Sequence, residues 1–128
     1  MPEYKILITD GLDERGQSIL RSSAYVDDRN NISADDLLRV IPDYDGLIVR
    51  GRTKVTASVM DAAARLKVIG RAGVGVDNID LEAAKKHNIT VVNAPMSTSL
   101  AVAELTFGLL LALARDVPRA DAAMKQGQ

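Results

Sequence analysis

The sequence predicts an α/β protein: a flavodoxin-like, five-stranded parallel sheet in the order 2-1-3-4-5, with helices on both faces and a long apolar helix at its end. Three observations carry that prediction. Short runs rich in Ile, Val and Leu recur at intervals of roughly twenty residues, the pitch of a βα unit. Helical patterns with recognisable starts lie between the runs. The runs are also continuous rather than alternating, as in strands covered on both sides.

In chain order, Ile6-Leu7-Ile8 is the first run, followed by a weak helical pattern from Gly11 to Leu20 that Gly16 interrupts. Ala24-Tyr25-Val26 is the second, with Asp27-Asp28 reading as a turn after it. Ser33 then stands before a helix whose first turn carries Asp35 and Asp36, the sign of charge that the helix dipole favours there. Leu47-Ile48-Val49 is the third run, and Thr56 precedes the alanine-rich stretch Ala57 to Ala64, a strong intrinsic helix former. Val68-Ile69 is the fourth; Asp80 precedes a helix over Leu81 to Lys86 that ends at His87-Asn88. Thr90-Val91-Val92 completes the set, and right-handed crossovers leave few ways to connect five such strands.

The last segment has a different character. From Ser99 to Arg115 it is apolar nearly all round, which predicts burial on more than one side. Glu104 interrupts a stretch already too short to span a bilayer comfortably. A polar tail, Asp116 to Gln128, follows, with Pro118 as a helix start or break. The expected division is a sheet domain over 1–97 and an interdomain or dimerisation helix with its tail over 98–128.

Composition narrows the function classes. A chain of 128 residues with 47% apolar content can bury one ordinary core. Its formal charge of −1, from 16 basic and 17 acidic side chains, gives no electrostatic case for nucleic acid or an anionic membrane. Aromatics at 3% provide no stacking platform for bases. The absence of cysteine removes disulfides and thiolate-bound metal, and no other metal-ligand spacing occurs. Met1-Pro2-Glu3 opens without the basic region of a leader, so the expectation is a cytoplasmic protein.

The most informative stretch is GRAGVGVDNID, Gly70 to Asp80, directly behind the fourth run. A dinucleotide site would need G-x-G-x-x-G, usually at the first βα turn; here the pattern is G-x-G-x-x-N at the fourth. A second reading keeps the backbone and changes the ligand. Successive amides in a glycine turn form a concave nest for an oxyanion, and small residues let a carboxylate approach Val74 and Gly75. Arg71 stands at the same end of the sheet, as do Arg50 and Arg52 after the third run, and guanidinium groups bind carboxylate or phosphate bidentately. The bland alternative is that these arginines cap helices or pair with Asp43, Asp45 and Asp77. His87, the one histidine, reads as a solvated residue at a helix end, with no carboxylate placed by sequence to orient it.

The runs Gly46-Leu47-Ile48-Val49-Arg50-Gly51-Arg52-Thr53-Lys54-Val55-Thr56, GRAGVGVDNIDLEAA, VVNAP and AVAELTFGLLLALAR together resemble the NAD-dependent D-2-hydroxyacid dehydrogenases, over essentially the whole chain. That family joins a flavodoxin-like substrate domain to an inserted Rossmann cofactor domain, and this sequence is similar to the first plus the helix leading into the second. The resemblance implies a small anionic substrate of the 3-phosphoglycerate kind, held by Arg50 and Arg71 with Arg52 as an addition. It implies that the Val74 and Gly75 amides receive the carboxylate and that Val74 borders the nicotinamide. Gly73, Asn78 and Asp80 would support the loop, Asp80 also as a helix cap. The family's G-x-G-x-x-G and its catalytic arginine, glutamate and histidine find no counterpart here. The expectation is therefore no NAD bound by this chain alone and no activity alone. The other reading is a flavodoxin-like binding module that self-associates, as a homodimer, through Leu100 to Ala114.

Overall fold

The strands are β1 (Tyr4–Ile8), β2 (Ala24–Asp28), β3 (Gly46–Val49), β4 (Val68–Arg71) and β5 (Thr90–Asn93), all parallel and ordered β2-β1-β3-β4-β5. The structure is a computed structural model describing residues 3–128; Met1 and Pro2, part of the start read above for a leader, lie outside the described residues. The register puts Ile48 beside Ile8 on one side and Gly70 on the other, and Val49 beside Arg71. The carboxyl ends of β3 and β4 therefore finish level with one another.

Three of the helices begin at a side chain that caps the first turn. Asp13 accepts from the Arg15 amide to start α1 (Glu14–Arg21), so Gly16 is inside this helix rather than a break in it. Ser33 accepts from the Asp36 amide to start α2 (Ala34–Val40), and a single 3-10 turn over Ile41–Asp43 follows. α3 covers Ala57–Ala62. Asp80 accepts from the Ala83 amide to start α4 (Leu81–Lys86), which ends where Asn88 turns to a positive φ of 55°. A side-chain cap of this kind contributes on the order of 1 kcal/mol.

The core lies on one face of the sheet. Leu7, Leu47, Val49 and Ile69 meet Leu37, Val59, Met60 and Ala84 from α2, α3 and α4. Burying each large aliphatic side chain contributes about 1.5–3 kcal/mol. The opposite face carries α1 near β2, while Val68 and Val92 keep 37% and 49% of their surface exposed. The cover is uneven.

Asp27 and Asp28 are not a turn. They are the last residues of β2: Asp27 accepts hydrogen bonds from the Tyr44 hydroxyl and Arg29, and Asp28 accepts from the Gln17 amide. Both carboxylates find partners in neighbouring elements.

The chain divides into two compact units, Met1–Pro95 and Met96–Gln128. The second contains α5 (Ser99–Ala114) and α6 (Val117–Lys125), so the apolar helix is not the final element and the tail is helical. Asp116 separates the two with a left-handed φ of 51°, and Pro118 sits in the first turn of α6, where no amide donor is needed. The expected burial of α5 is not found: none of its residues is buried, and Phe107 and Leu113 are 66% and 83% exposed. Apolar side chains project on every side of it. Among the described residues, no helix is long and apolar enough to cross a membrane.

Candidate anion site at the carboxyl edge of the sheet

Ligands of open α/β sheets sit beyond the carboxyl ends of the strands. Four chain segments meet there in this protein: the end of β1 at Thr9 and Asp10, the loop after β3, the glycine loop after β4, and the end of β5.

The loop after β3 is fixed from two sides. The Asp10 carboxylate accepts from the Arg50 amide (2.8 Å), the Thr53 amide (3.0 Å) and the Thr53 hydroxyl (2.5 Å). Opposite it, the buried Asn78 amide donates to the carbonyls of Arg50 (3.0 Å) and Thr53 (2.8 Å), and Val55 N–H donates to the Asn78 carbonyl. Burial alone would raise the Asp10 carboxyl. The Thr53 and Arg50 donors and the Arg52 charge outweigh it and hold the group below the ordinary value of 3.8.

The three arginines take different positions. Arg52 is turned onto its own chain: it pairs with Asp10 at 3.1 Å and donates to the carbonyls of Thr9 (2.6 Å) and Ile32 (3.3 Å). Arg50 is exposed and forms no ion pair among the described residues. Arg71 is half-buried, forms no ion pair among the described residues, and its Nε is buried without a hydrogen-bond partner. Its guanidinium lies between two glycines: a β-carbon on Gly73 would stand 2.7 Å from Cζ, and one on Gly51 would stand 3.9 Å from Nη2. Every other arginine from Arg15 to Arg65 contacts a carboxylate.

The glycine loop is tied to β5. Ala94 N–H donates to the Gly73 carbonyl (2.9 Å), and the Asn93 amide donates to the Val74 carbonyl (2.7 Å). Gly73 N–H donates to the Arg71 carbonyl, whereas the Val74 and Gly75 N–H groups donate to no described protein group. Val74 keeps 41% of its surface exposed. The loop does not open a helix, since α4 begins only at Leu81, so the helix N-terminus that would take a dinucleotide pyrophosphate is not at these glycines. Asp80 caps α4, and its own N–H donates to the Val55 carbonyl.

Two guanidinium groups without carboxylate partners and two undirected amides on neighbouring strand ends suit an oxyanion. His87 lies elsewhere, at the carboxyl end of α4, where its Nε2 meets Asp61 Oδ1 at 2.8 Å. A carboxylate does orient it, contributed by α3 from 26 positions away. Among the described residues, no group of three or more His, Asp or Glu side chains could hold a metal ion. Sequence reasoning missed Asp10, Thr53 and Asn93. The available signal was position: Asp10 and Asn93 each end an apolar run at the carboxyl edge.

Residues 6–125 match the D-isomer specific 2-hydroxyacid dehydrogenase catalytic domain, and the chain belongs to that family. Among curated relatives, it is 52% identical to D-3-phosphoglycerate dehydrogenase of Methanocaldococcus jannaschii over 124 residues, covering 97% of this chain and 24% of that protein. The human D-3-phosphoglycerate dehydrogenase is 49% identical over 125 residues, again covering 97% of this chain and 24% of the relative. The chain thus spans about a quarter of the length of the curated relatives it matches. Among solved structures, a Thermus thermophilus protein superposes with a TM-score of 0.85 at 36% identity, covering 96% of this chain and 40% of that one. An NAD+-bound 3-phosphoglycerate dehydrogenase from Entamoeba histolytica gives 0.69 at 29% identity, covering 85% and 38%.

Proposed function

We propose that this chain is the substrate-binding portion of a D-3-phosphoglycerate dehydrogenase and that the carboxyl edge of its sheet holds a small anionic 2-hydroxy acid. The observation that carries the reading is the pair Arg50 and Arg71, free of carboxylate partners on adjacent strand ends beside the Val74 and Gly75 amides. The guanidinium groups attract the phosphate or carboxylate, and the two amides receive the carboxylate oxygens. Gly73 and Gly51 leave the space in which Arg71 lies. Arg52 adds positive charge at the rim while staying paired with Asp10.

NAD, the cofactor named for the Entamoeba histolytica relative, would supply the hydride chemistry; from this chain, the exposed Val74 side chain would border its nicotinamide. The pyrophosphate finds no cradle in the glycine loop. His87 is not at the edge to remove a hydroxyl proton: it meets Asp61 at the far ends of α3 and α4. The 128-residue chain alone is therefore inactive in this reading. The test has two arms: ligand-observed NMR with 3-phosphoglycerate, and an assay with NADH and 3-phosphohydroxypyruvate. Binding without turnover supports the proposal; sustained turnover abolished by His87→Ala contradicts it.

The exposure of α5 favours a second reading, a module that self-associates as a homodimer through Leu100 to Ala114. The two readings are compatible; sedimentation equilibrium tests the second, and a strict monomer removes it alone.

A further inference from the structure

We propose that Asp10 is a positioning residue of the anion site, a buried carboxylate that holds the loop after β3 so that Arg50 faces the ligand while Arg52 is withdrawn from it. The inference rests on the anion-binding reading given above. Its basis is the placement of the Asp10 side chain, which is 4% exposed and makes all its polar contacts with residues 50–53. A negative charge beside a cationic site opposes anion binding in Coulomb terms. Here the charge is offset by Arg52 at 3.1 Å, so that Arg50 and Arg71 remain as the uncompensated cations.

The loop needs such an anchor. Arg50, Gly51 and Arg52 are exposed, and Gly51 is the residue with the widest backbone freedom. Asn78 holds the loop by its carbonyls, and Asp10 is the group that holds it by its N–H donors. Without that hold, Arg50 would have to be ordered when the ligand arrives, and affinity falls by the entropy of that ordering.

Asp10→Ala is the informative variant because the simple and the positional accounts predict opposite signs. Removing a negative charge strengthens anion binding if Asp10 acts only as a charge. If it acts as an anchor, binding weakens, since alanine accepts from none of the three donors that converge on the carboxylate. Sulfate is the probe, followed by two-dimensional NMR on the 128-residue chain, with the Leu47 and Ile69 amides reporting that the sheet is intact. The expected results are about tenfold weaker binding for Asp10→Ala and about threefold weaker for Thr53→Val, which removes the hydroxyl donor alone. The remote Asp61→Asn should stay within about twofold of wild type. Binding by Asp10→Ala as tight as wild type or tighter overturns the proposal.

Acid adds a second readout. The groups facing Asp10 are Thr53, the Arg50 amide and the Arg52 guanidinium. Asp10 gives up its charge only below the ordinary carboxylate value of 3.8, where sulfate also begins to lose charge, so acid is read on the loop amides and not on affinity. If the wild type binds no sulfate at all, the anion reading of the edge fails. The Arg50 and Thr53 amide resonances then decide Asp10: shifts in step with its protonation uphold the anchor, and unmoved resonances overturn it.

Discussion

The Arg71 guanidinium occupies the space that a β-carbon on Gly73 would take, with Cζ 2.7 Å from that position. Two residues apart in sequence, they are coupled sterically: the glycine is small so that the arginine can lie across it. The cation and the amide nest of the glycine loop consequently form one unit.

That coupling predicts a non-additive pair. Gly73→Ala should push the guanidinium aside and weaken 3-phosphoglycerate binding about as much as Arg71→Ala does. Since neighbours that share one interaction do not add, the double variant should be no weaker than Arg71→Ala. An NMR-detected double-mutant cycle checks this, and fully additive losses would contradict the shared geometry.

Asn78 should matter for stability as well as binding. It is 5% exposed and donates to two carbonyls of the loop after β3. Asn78→Ala leaves both acceptors short of a donor and should cost about 2–3 kcal/mol in urea unfolding. A loss under about 0.5 kcal/mol would show that the loop closes without it.

Stability should also depend on pH at both extremes. Burial raises Asp45, but the Lys5 amide, Arg65 and Lys67 hold it, like Asp10, below the ordinary value of 3.8. Carboxylates with lowered folded values add stability that is present above the unfolded value and lost as pH falls through the folded one. Tyr44 runs the other way: burial, then its hydrogen bond to Asp27, pushes it from 10.0 up to about 12. Its contribution is complete below pH 10 and disappears as pH rises toward 12. Urea midpoints should therefore fall on the acid side below the ordinary carboxylate value and again in strong alkali. Tyr44→Phe should remove the alkaline limb; if the limb persists unchanged, another group is responsible.

Self-association should run through α5. Leu105 and Leu109 are 63% and 62% exposed on a helix with no buried residue. Sedimentation equilibrium at tens of micromolar should show a dimer, and Leu105→Lys with Leu109→Lys should shift it to monomer. A wild-type chain that is already a strict monomer would remove this part of the proposal.

The sheet was legible in the sequence because βα pitch and helix caps are local signals. The Ile6, Leu47 and Val68 runs each begin or lie within an observed strand, and Ser33 and Asp80 cap the helices expected of them. Side-chain partners across distant elements were not legible. Asp27 meets Tyr44 from 17 positions away, His87 meets Asp61 from 26, and Asp10 meets Thr53 from 43. Arg52 shows the same limit: its spacing matches Arg50, yet its guanidinium points to Thr9 and Asp10. Periodicity assigns a residue to an element, whereas its partner depends on which strand ends the topology brings together.

The central claim is that Arg50 and Arg71 aim one anion at the glycine loop, and a residue-resolved NMR titration with 3-phosphoglycerate tests it most directly. The open edge should give millimolar affinity, on the order of 4 kcal/mol, weakening with added salt. Shifts should centre on Gly73, Val74 and Gly75 in the wild type and fade in both Arg50→Ala and Arg71→Ala. If those three amides stay put while shifts appear elsewhere, or if neither arginine variant changes them, the account is wrong.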